Sequence, residues 1–262
     1  MDGVLAVKLF AGPLVIGLAS LAGKRWGPAA AGLLGGLPLI AACVITALWL
    51  EHGQDYAVAT ASAAPVGLWA NVAYMLALGF ASRHFAGRRF GWAGMLACGW
   101  IVYLFAAIAL ARSGLAHSLP VGIASLAGLL LAARYVLPKP AAPPVIVPLP
   151  RIELVTRMSA ALLLVASLTG LAQILGPALT GVLAAAPVAG AVIPAFTLAN
   201  AGRDAVLVQL RGFLTGLVGT GASFLCLPAL AAHLGGWAAL PATLIAVACG
   251  YGANFLMQRL ER

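Results

Sequence analysis

The sequence predicts an all-α, polytopic transmembrane bundle of about nine helices arranged as an inverted 4+1+4 repeat, and three observations lead there. Charged residues make up only 8% of the 262, against 63% hydrophobic. A water-soluble domain carries roughly 25% charged residues, so the solvent for most of this chain must be lipid. Nine apolar stretches reach the roughly 20 residues that a helix needs to cross hydrocarbon, and none alternates with period two as a barrel strand would. Finally, the second half of the chain repeats the first at a fixed offset.

The spans are expected at 4–22, 28–50, 58–81, 91–111, 119–137, 157–175, 177–199, 209–231 and 236–258. The first begins after Asp2 and ends before Lys24 and Arg25, the reverse of a signal peptide's basic start, so it is read as a retained helix. Gly27-Pro28 and Gly176-Pro177 open the second and seventh spans, where proline in a first turn costs no intrahelical bond. Cys43, Cys98, Cys226 and Cys249 all fall inside spans without metal-ligand spacing and read as small packing residues. Between the fifth and sixth spans runs Pro138-Lys139-Pro140-Ala141-Ala142-Pro143-Pro144, with Pro148 and Pro150 beyond it, an extended spacer. It divides the chain into a four-helix repeat at 1–112, a linker helix and Pro-rich spacer at 113–153, and a second four-helix repeat at 154–262.

An offset of 149 residues aligns Gly32 with Gly181, Pro38 with Pro187, Gly53 with Gly202, Asp55 with Asp204 and Gly67 with Gly216. It also pairs Lys8 with Arg157 and His84 with His233, and a shift of two more residues pairs Ala97-Cys98-Gly99-Trp100 with Ala248-Cys249-Gly250-Tyr251. The odd linker helix makes the second repeat enter the membrane from the side opposite the first.

In a soluble protein the net charge of +9 would point to nucleic acid. Here the cations follow the positive-inside rule. With the N-terminus outside and the C-terminus cytoplasmic, all 15 lysines and arginines except Lys8 and Arg112 fall on the cytoplasmic side, so no nucleic-acid partner is expected. The basic loop at Lys24-Arg25 has the uncharged counterpart Gln173-Ile174, while the outer loop from Glu51 to Asp55 has a counterpart that gains Arg203. Arg83, Arg88, Arg89 and Arg134 form a basic rim suited to anionic headgroups, although such charge usually only sets orientation.

The segment from Lys8 to Leu110, with Gly32-Leu33-Leu34-Gly35-Gly36-Leu37-Pro38, Glu51-His52-Gly53 and Gly94-Met95-Leu96-Ala97-Cys98, resembles the GlpM-like small four-helix inner-membrane proteins. The resemblance covers most of the first half and, more weakly, the second. It implies a bacterial inner (plasma) membrane location and an origin by fusion of two small units. It carries no catalytic residues over.

Pro38 and Pro187 sit near the middle of equivalent spans, where proline removes a backbone hydrogen bond and frees carbonyl groups. Symmetric helix breaks at the midplane are the sequence mark of a transporter's binding site, with a packing kink as the plainer alternative. Gly35 and Gly36 loosen the first break, and Gly190 and Pro194 the second. Asn71 and its repeat mate Thr220 are placed to bond a solute, or simply to join neighbouring helices. The candidate substrate-binding residues are therefore Gly35, Gly36, Pro38, Asn71, Pro187, Gly190 and Thr220.

Of the other polar groups, Glu51, Asp55 and Asp204 are read as solvated gate or loop charges, and no carboxylate is expected deep in the membrane. His52, His84, His117 and His233 are too dispersed for a metal motif. No nucleophile motif or phosphate loop occurs, so the chain reads as non-enzymatic, without cofactor. These features lead to a transporter of a small neutral or amphiphilic solute or lipid. The alternative is a non-transporting membrane subunit or scaffold that packs through faces such as Gly32 and Gly181, against itself as an oligomer or against a partner.

Overall fold

The computed structural model describes residues 3–39, 42, 45–46, 49–50, 53–115, 117–143, 151–175 and 186–261. The side chains at 3–9, 11, 164–175 and 261 fall outside this description, as do Cys43, Glu51, His52, Gly176, Pro177 and Gly181. Helix is the only extended regular structure among the described residues. The helices are α1 (Gly3–Trp26), α2 (Pro28–Gly36), α3 (Gln54–Phe85), α4 (Gly91–Arg112), α5 (Leu119–Leu131), α6 (Arg151–Leu175), α7 (Val188–Leu234) and α8 (Ala239–Glu261). A π-turn over Ala132–Val136 extends α5, and a 3₁₀ turn over Gly235–Ala238 joins α7 to α8.

Four stretches of the described residues are long and apolar enough to cross a membrane: Gln54–Phe85, Gly91–Arg112, Leu119–Val136 and Val188–Leu260. Their outer surfaces fit that role. On α4, Ile101, Leu104, Phe105 and Ile108 are all exposed along one stripe, while Met95, Tyr103 and Ala107 on the other face are buried. Such a stripe is a liability in water and is solvated by acyl chains.

Nine separate spans are not what the described helices give. The expected loop between the seventh and eighth spans is replaced by a kink at Gly202 (φ 80°, ψ −173°), where two helical stretches of α7 meet. Only glycine takes that backbone conformation without strain. The expected second span is interrupted, since α2 stops at Gly36, two residues before Pro38, and residues 39, 42, 45–46 and 49–50 are helical again. The sixth helix starts at Arg151, six residues before its expected start at 157, which draws Glu153 and Arg157 into the helix.

Two apolar clusters hold the bundle together. The larger joins α1, α3, α4, α5 and α7 around Tyr74, Leu78, Met95, Tyr103, Ile193, Leu210 and Phe213, all essentially inaccessible. Within it Tyr74, Trp100 and Tyr103 meet edge to face with ring centroids 5.6–6.1 Å apart, the arrangement favoured by the ring quadrupoles. The smaller cluster joins Ile45, Ala57, Ala61, Phe224, Leu227 and Ala242.

Candidate functional site

The site is built on two proline turns made alike, one following α2 and one opening α7. Pro38 has no N–H for the carbonyl of Leu34, and the N–H of Leu39 turns to Leu37 O at 2.8 Å instead of reaching Gly35 O. A new helical turn then starts, with Ala42 N donating to Pro38 O at 2.6 Å. At Pro187 (φ −79°, ψ 65°) the same three-residue turn recurs: Val188 N donates to Ala186 O and Ala191 N to Pro187 O, both at 2.8 Å. These dihedrals are those of the inverse γ-turn. Each donor and acceptor at the second break stands 149 residues beyond its counterpart at the first.

A second pair of positions shows the same likeness. Gly53 (φ 84°, ψ 176°) precedes α3, and Gly202 divides α7 with nearly the same dihedrals. Both lie in a region that side chains with a Cβ avoid.

Two carbonyls near these turns are met by side chains from other helices, one of them Gly190 O, which Pro194 inside α7 leaves without its helical N–H partner. Thr220 Oγ1 on α7 donates to Gly36 O at 2.7 Å, and the Tyr74 hydroxyl on α3 donates to Gly190 O at 3.3 Å. Both donors are buried, as is Asn71, one turn from Tyr74 on α3. The breaks lie close together: a Cβ placed on Gly35 would come within 3.4 Å of Ala189 Cβ and run into the Phe213 ring, and one on Gly190 would meet Met75 and Pro187. Of the sequence-derived candidates, Gly35, Gly36 and Thr220 thus form one group around the first break. Gly190 and Pro187 form a second group with Tyr74, which the sequence reading did not single out. Pro38 faces a cavity.

That cavity, of about 250 Å³, lies between the residues following Pro38, the Ser223–Leu227 stretch of α7 and the start of α8. Pro38, Ala42, Ile45, Trp49, Phe224, Leu227 and Ala242 make its walls mostly apolar, and Thr46, Ser223 and Thr243 supply hydroxyls.

On the side of Pro38 away from the cavity, α2 and α7 are pressed backbone to backbone. A Cβ on Gly32 would land on the carbonyl oxygen of Gln209, one on Gly36 on that of Phe213, one on Gly212 on that of Ala29 and one on Gly216 on that of Leu33. Two G-x-x-x-G spacings, Gly32/Gly36 and Gly212/Gly216, therefore interlock, and these spacings were the sequence signal for the contact. Gln209, 1% exposed, leaves its Oε1 without a hydrogen-bond partner in this seam.

Charged residues do more than the sequence reading assigned to them. Arg157 is 8% exposed; it bonds Glu153 Oε1 through Nε (3.0 Å) and Nη2 (2.6 Å), reaches Ser20 Oγ at 3.4 Å and lies 5.2 Å above the Phe196 ring. The pair lies near the start of α6 against α1 and α7, with Arg157 buried and Glu153 half-buried. Its signal was the Glu-x-x-x-Arg spacing. Asp204, expected as a free loop charge, accepts from the backbone N–H groups of Ala141 (3.0 Å) and Ala142 (3.2 Å) in the Pro-rich spacer. Cys98, Cys226 and Cys249 are free and half-buried. His84 pairs with Arg83, His117 lies against Ser62, and no group of three potential metal ligands occurs among the described residues.

Comparison with protein-family models, with curated proteins and with solved structures finds no match for this chain.

Proposed function

We propose that this chain is a transporter of a small neutral or amphiphilic solute or lipid, working by alternating access between two inverted four-helix halves, 1–112 and 154–262, around the breaks at Pro38 and Pro187. The observation that carries this reading is the identity of the two proline turns: the same inverse γ-turn, with the same donors and acceptors 149 residues apart. Irregular backbone at membrane depth is tolerated where it is buried in protein or lines a cavity, and paired broken helices are how repeat transporters build a site. The matching conformations of Gly53 and Gly202 support a nine-span, 4+1+4 inverted organisation, with Gly202 as the loop between the seventh and eighth spans.

In this reading the N-terminus is outside, the C-terminus is cytoplasmic, and the membrane is a bacterial inner membrane, as the GlpM-like resemblance implies. The glycine seam of α2 and α7 closes the cytoplasmic side, and the cavity beyond Pro38 opens toward the outside, as in an outward-facing state. The scaffold alternative is weakened because Gly32, one of its two small-residue faces, is used against Gln209 of the same chain.

The test is side-specific labelling of single cysteines at Lys24 and Gln173 in a version lacking the four native cysteines. The proposal expects labelling from opposite sides of the membrane. Labelling from one side removes the inverted repeat and the transporter reading with it. Among chains of opposite labelling, Pro38→Ala and Pro187→Ala are expected to lower solute permeation into proteoliposomes, read by stopped-flow light scattering, more than they lower folded yield.

A further inference from the structure

The hydroxyls of the cavity have their hydrogens committed. Thr46 Oγ1 donates to Ala42 O, Thr243 Oγ1 to Ala239 O and Ser223 Oγ to Thr220 O, each at 2.8 Å. A hydroxyl has one hydrogen and two lone pairs, so what these three hydroxyls keep for a ligand is acceptor capacity. We infer that the cavity between Pro38, α7 and α8 binds a small neutral solute that combines an apolar body with a hydrogen-bond donor, such as an amide or alcohol, and discriminates against anions. The inference deepens the transporter reading, on which it rests, by naming the class of solute.

Three features carry it. An acceptor-only solute gains a bond from these hydroxyls only by pulling one off its helix carbonyl, whereas an N–H or O–H meets a lone pair directly. A carboxylate meets no counter-charge, because none of the described lining residues is charged, and a buried unpaired charge is strongly disfavoured. The volume of about 250 Å³ suits a compact molecule and is too small for a whole phospholipid. Within the wider range of the transporter reading, this selects compact amphiphiles over lipids. The apolar walls, Trp49, Phe224 and Leu227 among them, take the body of the solute, while Thr46 and Thr243 face its donor.

The experiment is titration calorimetry on the full chain in nanodiscs, with heats from empty nanodiscs subtracted. Its probes are three molecules of equal heavy-atom count: hexanamide, hexanoate and methyl pentanoate. Hexanamide is expected to bind at least tenfold more tightly than hexanoate and several-fold more tightly than the ester. In the Thr46→Val/Thr243→Val variant the amide and ester should come within about twofold of each other while ester binding persists, which a misfolded variant would not show. Ala242→Phe, which fills the cavity, should abolish binding of all three. Equal or tighter binding of hexanoate, an amide-to-ester ratio unchanged in the valine variant, binding that survives Ala242→Phe, or no saturable binding by any probe overturns the assignment. Binding with this preference but without hexanamide flux into liposomes leaves the cavity assignment standing and defeats the transporter reading. Flux without the preference does the reverse.

Discussion

Arg157 is a cation that sequence position assigns to a membrane surface, yet the fold buries it against Glu153, Ser20 and the Phe196 ring. A buried ion pair contributes little net stability, but removing one member strands the other charge at a cost of about 3 kcal/mol or more. Glu153→Gln alone is therefore expected to lower unfolding free energy in mixed micelles by about that much, while adding Arg157→Met should recover most of the loss. A double variant no more stable than Glu153→Gln would show that Arg157 is not the stranded partner. The Glu-x-x-x-Arg spacing was legible in the sequence. Its burial was not, because nothing local says that α1 and α7 close over that face of α6.

At the scale of elements, the contact between α2 and α7 rests on the absence of side chains. Gly32 and Gly36 meet Gly212 and Gly216 so closely that carbonyl oxygens occupy the space where Cβ atoms would be. In lipid, where apolar burial does not drive helix association, such close approach is the main source of packing attraction. Gly32→Val is expected to cost about 3 kcal/mol or more by forcing the helices apart. Gly252→Ala serves as the control: it is a helical glycine of α8 with open space around it, and the change should stabilise by about 0.5–1 kcal/mol. Denaturant titration of both variants checks the contrast, and similar effects from the two would remove the seam. The interruption of helix at Pro38 was readable from proline chemistry alone, while the stretch before Pro187 lies outside the described residues. The donors near those two prolines, Thr220 and Tyr74, come from residues distant in sequence and were visible only in part, Thr220 through its repeat position.

At the scale of the whole molecule, the spacer between the halves is strapped to α7. Arg211 donates to the carbonyls of Ala133, Leu137 and Pro138, and Asp204 takes the N–H groups of Ala141 and Ala142. Charge-assisted bonds of this kind are stronger than neutral ones, and they satisfy backbone groups that a proline-rich segment cannot pair within itself. Asp204→Ala is expected to raise hydrogen exchange at Ala141 and Ala142 at least tenfold while leaving the core amides of α3 unchanged. Unchanged exchange at the two alanines would show that Asp204 does not hold the spacer. A composition shift marked the spacer in the sequence, but its fastening did not show, since an exposed aspartate and a docked one look alike until the partner backbone is in place.

The sequence by itself determined the solvent and the punctuation of this protein. A chain 63% hydrophobic and 8% charged must form helices in lipid, and prolines and glycines at fixed offsets mark where those helices break or turn. These are properties of single residues and short windows, and they act whatever the rest of the chain does. Only the tertiary structure decided which glycines touch, that a kink at Gly202 stands where a loop was expected, which hydroxyls face a cavity and that Arg157 lies buried. Those outcomes depend on helix rotation about its axis. In a chain apolar on nearly every face, no hydrophobic stripe records that rotation, and it is set by close packing and hydrogen bonds between residues far apart in sequence.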